Sequence, residues 1–248
     1  MPTLTLLLKI HHNGQLKFVE DQLKKALKGL RIEIENVEVT QRSWIKVEFS
    51  GEDEKAALNC LGNEIGFCAE TPRKYLTTKA YITDLDKDEL IVDPGIILPE
   101  NIRATITLQQ LQAQLADGRK ITIQKIAELF GLCKMLPLII KIAVVHENEV
   151  QAFLAEKQLN LYTQWTKHLL QKLIVLGATL SEVKDALKLA KCQSDIVAVE
   201  SLGLFEHAIT CKLGTDAAGL MPKIGKRLRT ANLTIFNPEK VIKFLGSI

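Results

Sequence analysis

The chain has 248 residues, of which 47% are hydrophobic and 25% charged, and a net charge of +3. Such a composition belongs to globular proteins and excludes a disordered or collagen-like chain. No apolar run approaches the roughly 18 residues of a membrane-spanning helix, and the apolar start at 4–10 is too short for a signal-peptide core, so a cytoplasmic protein without a membrane partner is expected.

Residues 3–10 read as a strand, followed by a turn at Asn13 and Gly14. Residues 16–30 have the period of an amphipathic helix, with Leu16, Val19, Leu23, Leu27 and Leu30 close to one face. Residues 32–39 and 44–49 read as strands, and the acids of Gly51-Glu52-Asp53-Glu54 suit the first turn of a helix. The order is βαββ followed by a helix, a ferredoxin-like lobe over 1–70. Trp44 fits a half-buried sheet position better than a base-stacking one.

Residues 70–74 read as a linker. Short β-type segments follow at 75–82, 89–92, 96–98 and 102–106, then helical patterns at 108–115 and 123–130, and a last strand at 138–145. This arrangement predicts a small OB/S1-like barrel over 71–156. A barrel that binds single strands needs aromatics in a basic groove, and Tyr75 and Tyr81 are the only strand aromatics expected here. The segment reads as a spacer or as a barrel that has lost that role. Asp84, Asp86, Asp88 and Glu89 crowd one turn without the glycine and terminal glutamate of a calcium loop, and read as a solvated turn.

A helix is expected over 159–170, with Trp165 buried. Residues 173–176 read as a strand, Thr179 and Ser181 cap a helix running through Ala190, and 196–199 and 204–213 read as strands. A helix starting near Leu220, a strand at 233–236 and a helix at 238–245 complete a ferredoxin-like βαββαβ lobe over 157–248. Overall the fold class is α+β and multi-domain. For an RNA-recognition surface on the last sheet, Phe205 and His207 are the candidates to stack on bases.

The stretch from Gly203 to Thr230 draws most attention. It reads as a strand, a loop with Gly214 and Gly219, and a helix carrying Lys223, Lys226, Arg227 and Arg229. A helix N-terminus beside glycines that let the backbone approach can hold an anion. The spacing matches neither a Walker loop nor a dinucleotide fingerprint. Charge supports the same region: residues 1–70 and 71–156 carry −2 and −1, while 157–248 carry +6. Two readings stay open, a solvated basic helix face and a phosphate-holding surface made of Lys212, Gly214, Thr215, Gly219, Lys223, Lys226, Arg227 and Arg229.

Five scattered cysteines without a C-x-x-C pair argue against a disulfide framework or zinc knuckle, and the five histidines lack metal-type spacing. No metal, cofactor or catalytic residue is assigned.

The tracts LIVLGAT at 173–179, LADGRKITIQKIAELFGL at 115–132 and CKLGTDAAGLMPKIGKRL at 211–228 resemble an archaeal protein family known as domain of unknown function 2110. The resemblance implies an archaeal cytoplasmic protein with an S1-like, glycine-rich middle, and it carries over no catalytic residue. Residues 75–98 depart from that middle, with Asp and Glu where glycines would sit.

The leading expectation is a non-enzymatic protein that binds RNA or single-stranded nucleic acid and is associated with RNA or ribosomes. The alternative is a regulatory module for a phosphate- or nucleotide-type small ligand. An enzyme is the third reading, resting on Glu206, His207, Cys211 and Asp216; Glu206 and His207 would face opposite sides of a strand, which disfavours them as partners. The sequence assigns no oligomeric state.

Overall fold

The computed structural model describes residues 3–99, 102–146 and 149–246. The chain divides into two compact units, Met1–Thr71 with Gly95–Ile97, and Pro72–Pro94 with Leu98–Ile248.

The first unit contains β1 (Thr3–Lys9), α1 (Leu16–Ala26), β2 (Ile32–Val39), β3 (Trp44–Gly51) and α2 (Glu54–Glu64). Its sheet has the order β1-β3-β2, with both pairings antiparallel. Alternation along β3 sends Ile45, Val47 and Phe49 into the core, which Val19, Leu23, Ala57 and Leu61 complete from the helices. The helix expected over 16–30 stops at Ala26. Lys28 N–H turns back to Lys25 O at 3.2 Å, and Gly29 takes φ +95°, which ends the helical path. Trp44 is buried, with the Lys9 ammonium 4.7 Å from its ring centroid.

Of the segment expected as a barrel strand at 96–98, Ile96 and Ile97 belong to this unit instead. Ile96 forms a single parallel bridge to Ala69, Ala69 N–H donates to Gly95 O at 2.9 Å, and Ile97 N–H donates to Ala69 O at 2.8 Å. A Cβ on Gly95, whose φ is +65°, would lie 2.5 Å from Leu7 Cδ2, so the close approach requires glycine. A short apolar run has no periodicity that says which sheet it joins.

The second unit begins with a closed five-stranded barrel. Its strands are β4 (Thr77–Leu85), β5 (Glu89–Asp93), β6 (Arg103–Thr107), β7 (Pro137–His146) and β8 (Glu149–Leu154), in the cyclic order β4-β5-β6-β8-β7. All neighbours are antiparallel except β6 and β8, which run parallel. Ala80, Ile82, Leu90, Val92, Ala104, Ile106, Leu138, Ile140, Ile142, Val150, Ala152 and Leu154 alternate along the strands and are buried. Strand β8 was not expected from the sequence; its Val150, Ala152 and Leu154 have the period-two signal that would have found it.

Between β6 and β7 lie α3 (Leu108–Leu115) and α4 (Ile123–Phe130). Both start on threonines. Thr107 forms a capping box with Gln110, and the Thr122 hydroxyl accepts from Lys125 N–H. The Gln114 amide pairs with both backbone groups of Leu154, tying α3 to the end of β8.

Next come α5 (Glu156–Lys167), β9 (Lys172–Leu176), α6 (Leu180–Leu189), β10 (Ile196–Ser201), β11 (Glu206–Cys211), α7 (Ala217–Gly225), β12 (Asn232–Phe236) and α8 (Pro238–Leu245). The sheet order is β10-β11-β9-β12, antiparallel throughout. The chain therefore holds three domains of mixed α+β type, with the closed barrel in the middle. One face of this sheet, with Leu173, Val175, Ile209 and Cys211, packs on Val183, Ala186 and Leu187 of α6 and on Ala217, Leu220 and Ile224 of α7.

The opposite face is also covered. Phe236 meets Trp165 and Tyr162 of α5 at ring-centroid distances of 5.3 and 6.0 Å, and Phe130 of α4 at 6.2 Å. Gly131, with φ +68°, lets α4 end so close to β12 that a Cβ would lie 2.9 Å from Ile235 O. Lys172 is 1% exposed beneath Trp165 and donates to Glu200 Oε1 at 2.8 Å and to Thr210 Oγ1 at 2.6 Å. Arg119, from the turn between α3 and α4, donates to the carbonyls of Phe244 and Leu245 and so satisfies the end of α8.

Burial alone would raise the Glu200 carboxyl. The Lys172 ammonium outweighs it, helped by hydrogen bonds from Trp165 and Thr210, and holds the group below its ordinary value. A depressed carboxyl stabilises the fold above its unfolded value, near pH 4.3, and loses that contribution as pH falls through its folded one. Lys172→Met should therefore flatten the acid side of a Tm-versus-pH series relative to the native chain. Phe236→Ala should cost about 3–5 kcal/mol in denaturant unfolding, because no neighbour can fill the space beneath three aromatic rings.

Candidate nucleic-acid interface

The candidate region is built on β11 and α7. The strand is shorter than the expected 204–213, and Leu213 beyond it is 82% exposed. Phe205 and His207 are fully buried, so neither can stack on a base. His207 Nε2 lies 3.0 Å from Ala178 O and Nδ1 lies 3.3 Å from Ser201 Oγ. A carbonyl only accepts, so Nε2 carries the hydrogen and Nδ1 accepts from the serine, which is a neutral tautomer. Burial holds the ring's protonation below the ordinary histidine value.

The thiols are equally withdrawn. Burial pushes both Cys133 and Cys211 up to about 11, leaving them protonated at neutral pH. Glu206 is buried on the strand face opposite His207, where its charge acts on Lys79.

Helix α7 starts at Ala217 rather than near Leu220. Asp216 sets the start: its carboxylate accepts from Ala218 N–H and Gly219 N–H, both at 3.1 Å. Ala217 N–H donates to Gln171 Oε1 at 2.9 Å. Three donors that could have met an anion are thus taken by the protein's own oxygens, two of them on a carboxylate. Pro222 consequently lies inside the helix, where it withholds a hydrogen bond from the Ala218 carbonyl. The helix ends at Gly225, within one turn.

Lys226, Arg227 and Arg229 therefore lie at and beyond the C-terminal end of α7, not along it. A nine-residue helix is about 13 Å long, so the loop with Lys212, Gly214 and Thr215 is separated from them by about that length, while Gly219 sits in the first turn of the helix itself. Buried Ile224 and Leu228 anchor the turn and leave Lys223, Lys226, Arg227 and Arg229 exposed. Together with Leu189 and Ala190 at the end of α6, these four cations line an open depression of about 560 Å³.

None of the four has an ion-pair partner among the described residues. Their position at a helix C-terminus complements the partial negative charge there. Leu189 is 61% exposed and gives the depression an apolar patch. The two residues from α6 were not read as part of a site, because nothing local in the sequence brings 189–190 to 223–229. Among the described residues no group of three His, Cys, Asp or Glu side chains could hold a metal, and no helix is long and apolar enough to cross a membrane.

These features define a three-domain α+β protein with a central closed barrel and a basic depression on its last domain. The DUF2110 N-terminal, central and C-terminal domain models match residues 3–70, 76–166 and 170–236. The chain belongs to the DUF2110 family.

A comparison with curated proteins gives no match. Among solved structures, a chain of the a/eIF2alpha–aDim2p–rRNA complex from Pyrococcus horikoshii OT3 is similar at 13% identity and TM-score 0.28, covering 49% of this chain. The present chain spans 62% of that one. The intact alpha subunit of aIF2 from Pyrococcus abyssi is similar at 11% identity and TM-score 0.27, over 68% of this chain and 98% of the other. A multidomain protein with nucleic acid binding domains from Streptococcus pneumoniae TIGR4 is similar at 11% identity and TM-score 0.23, over 79% and 54%. Likeness at these TM-scores carries no functional argument.

Asp216→Ala should cost about 1 kcal/mol by loss of the cap, read from denaturant unfolding. The same substitution should leave the basic depression intact, since its first residue, Lys223, lies about 10 Å away along the helix.

Proposed function

We propose that the protein is a non-enzymatic binder of nucleic acid that holds phosphates in the depression formed by Lys223, Lys226, Arg227 and Arg229. The observation that carries this reading is the gathering of four exposed cations, without ion-pair partners among the described residues, around one concave surface. Exposed cations gathered on one surface raise the local potential and attract a polyanion, and such contacts bind with little dependence on sequence. Lys212, Gly214, Thr215 and Gly219 stand at the other end of α7 and take no part in this depression. The finer reading of the architecture accompanies the proposal: a ferredoxin-like first lobe, an OB/S1-type barrel and a ferredoxin-like last lobe. The parallel β6–β8 pair and the helices between β6 and β7 support the OB assignment.

A second reading, a phosphate- or nucleotide-type small ligand in the same depression, is favoured by its volume of about 560 Å³, which lies within the range of small-molecule sites. It predicts saturable thermal stabilisation by one compound, which loose binding of nucleic acid does not.

Lys226→Ala/Arg227→Ala should weaken binding of single-stranded RNA and lower the slope of log affinity against log salt by about 1.4, at about 0.7 for each phosphate no longer neutralised. Anisotropy titrations across a salt series measure both quantities. An unchanged slope would exclude the depression as the phosphate-holding surface.

A further inference from the structure

The barrel carries a feature that the basic depression does not explain. Tyr75 lies in the turn before β4 and is 63% exposed, with φ +67°. That left-handed conformation is unfavourable for a bulky L-residue and comes free to glycine. Burial of the ring does not offset the strain, since most of the side chain stands in solvent.

The backbone around it is nonetheless fixed. Leu76 N–H donates to Arg73 O at 3.1 Å and closes the turn. Tyr75 N–H donates to Ile142 O at 2.8 Å, and Ile142 N–H donates to Leu76 O at 2.9 Å, stitching the turn to β7. A rigid turn holds a strained aromatic residue outward, where it contributes nothing to the core.

The ring has two cationic neighbours. Lys74 Nζ lies 5.0 Å from its centroid and Lys141 Nζ lies 5.4 Å away. Ile140 and Ile142 point into the barrel, so alternation places Lys141 on its outer surface. Lys141 pairs across the sheet with exposed Thr77 on one side and half-buried Phe153 of β8 on the other. The outer wall therefore carries the series Tyr75, Lys141 and Phe153, two aromatics with a lysine between them. Counting strand aromatics from the sequence omitted Phe153, because β8 was not foreseen.

From this arrangement we infer that Tyr75 is a stacking platform for an unpaired base, with Lys74 and Lys141 moving from the ring to the flanking phosphates when a single strand is bound. An aromatic ring beside mobile cations is the combination that binds single strands with little regard to sequence. A duplex cannot use it, since its bases are already stacked on one another. The surface is separate from the basic depression of α7. The inference rests on the nucleic-acid reading above and deepens it by naming the strandedness of the partner.

The test uses the full chain, an oligouridine single strand and a duplex of the same length, titrated across a salt series. Tyr75→Gly removes the ring and suits the left-handed turn, so its Tm should equal or exceed that of the native chain. Its affinity for oligouridine should fall about tenfold with an unchanged salt slope. Tyr75→Trp should retain binding and lose emission on adding oligouridine; Trp44 and Trp165 are each 3% exposed and give a steady background.

Native affinity in Tyr75→Gly, no quenching in Tyr75→Trp, or equal affinity for the duplex would each overturn the platform while leaving the phosphate-holding reading in place. Quenching of Tyr75→Trp that persists when Lys226→Ala/Arg227→Ala changes neither affinity nor slope would support the platform and remove the α7 depression. Absence of oligouridine binding by the native chain at low salt would overturn both.

Discussion

The four-stranded sheet of the last domain is buried on both faces, and covering the second face constrains the remainder of that unit. Helices α6 and α7 cover one side. The other side would expose Ile174, Leu176, Ala208 and Phe236 to water, and it is covered by α4 and α5 from the barrel region. Lys172 lies within this contact, where an unpaired ammonium would be costly. Glu200, Thr210 and the face of Trp165 make its burial tolerable. The barrel and the last sheet are consequently parts of one packed body.

That packing determines where binding can occur. A sheet face is the surface on which RNA-recognition modules stack bases, and here it is filled by the protein's own aromatics. Under the function proposed above, contacts with a polyanion would be left to the helix side, at the basic depression, and to the outer wall of the barrel. Asp216 adds a further restriction: by capping α7 with its own carboxylate, it occupies donors that the Gly214–Gly219 loop had seemed to offer to a ligand.

The sequence made some parts of this legible through local chemistry. Thr107, Thr122 and Thr179 start helices where expected, because a threonine before an apolar helical pattern fixes the first turn by itself. The short runs of β-forming residues at 173–176 and 233–236 likewise identify strands of the last sheet. Long-range choices were not legible. Nothing local told that Ile96 would pair with Ala69, that β8 would close the barrel by pairing parallel to β6, or that Leu189 would line the same depression as Arg227. Pro222 misled in a specific way: its dislike of helix interiors argued for a late helix start, and the Asp216 cap outweighed it. The basic residues themselves were legible, but their placement past the helix end was not.

The route of the chain through Gly95–Ile97 bears on how the first unit is made. Its sheet and both helices are encoded before residue 72, yet the piece that covers Leu7, Trp44 and Cys68 arrives only after two strands of the barrel have been synthesised. During translation from the N-terminus, those side chains wait in partial exposure until residue 97 has left the ribosome. A fragment ended at residue 71 would carry the same exposure permanently. The first unit is contiguous in space but not in time, and the order of synthesis makes its completion depend on the start of the next.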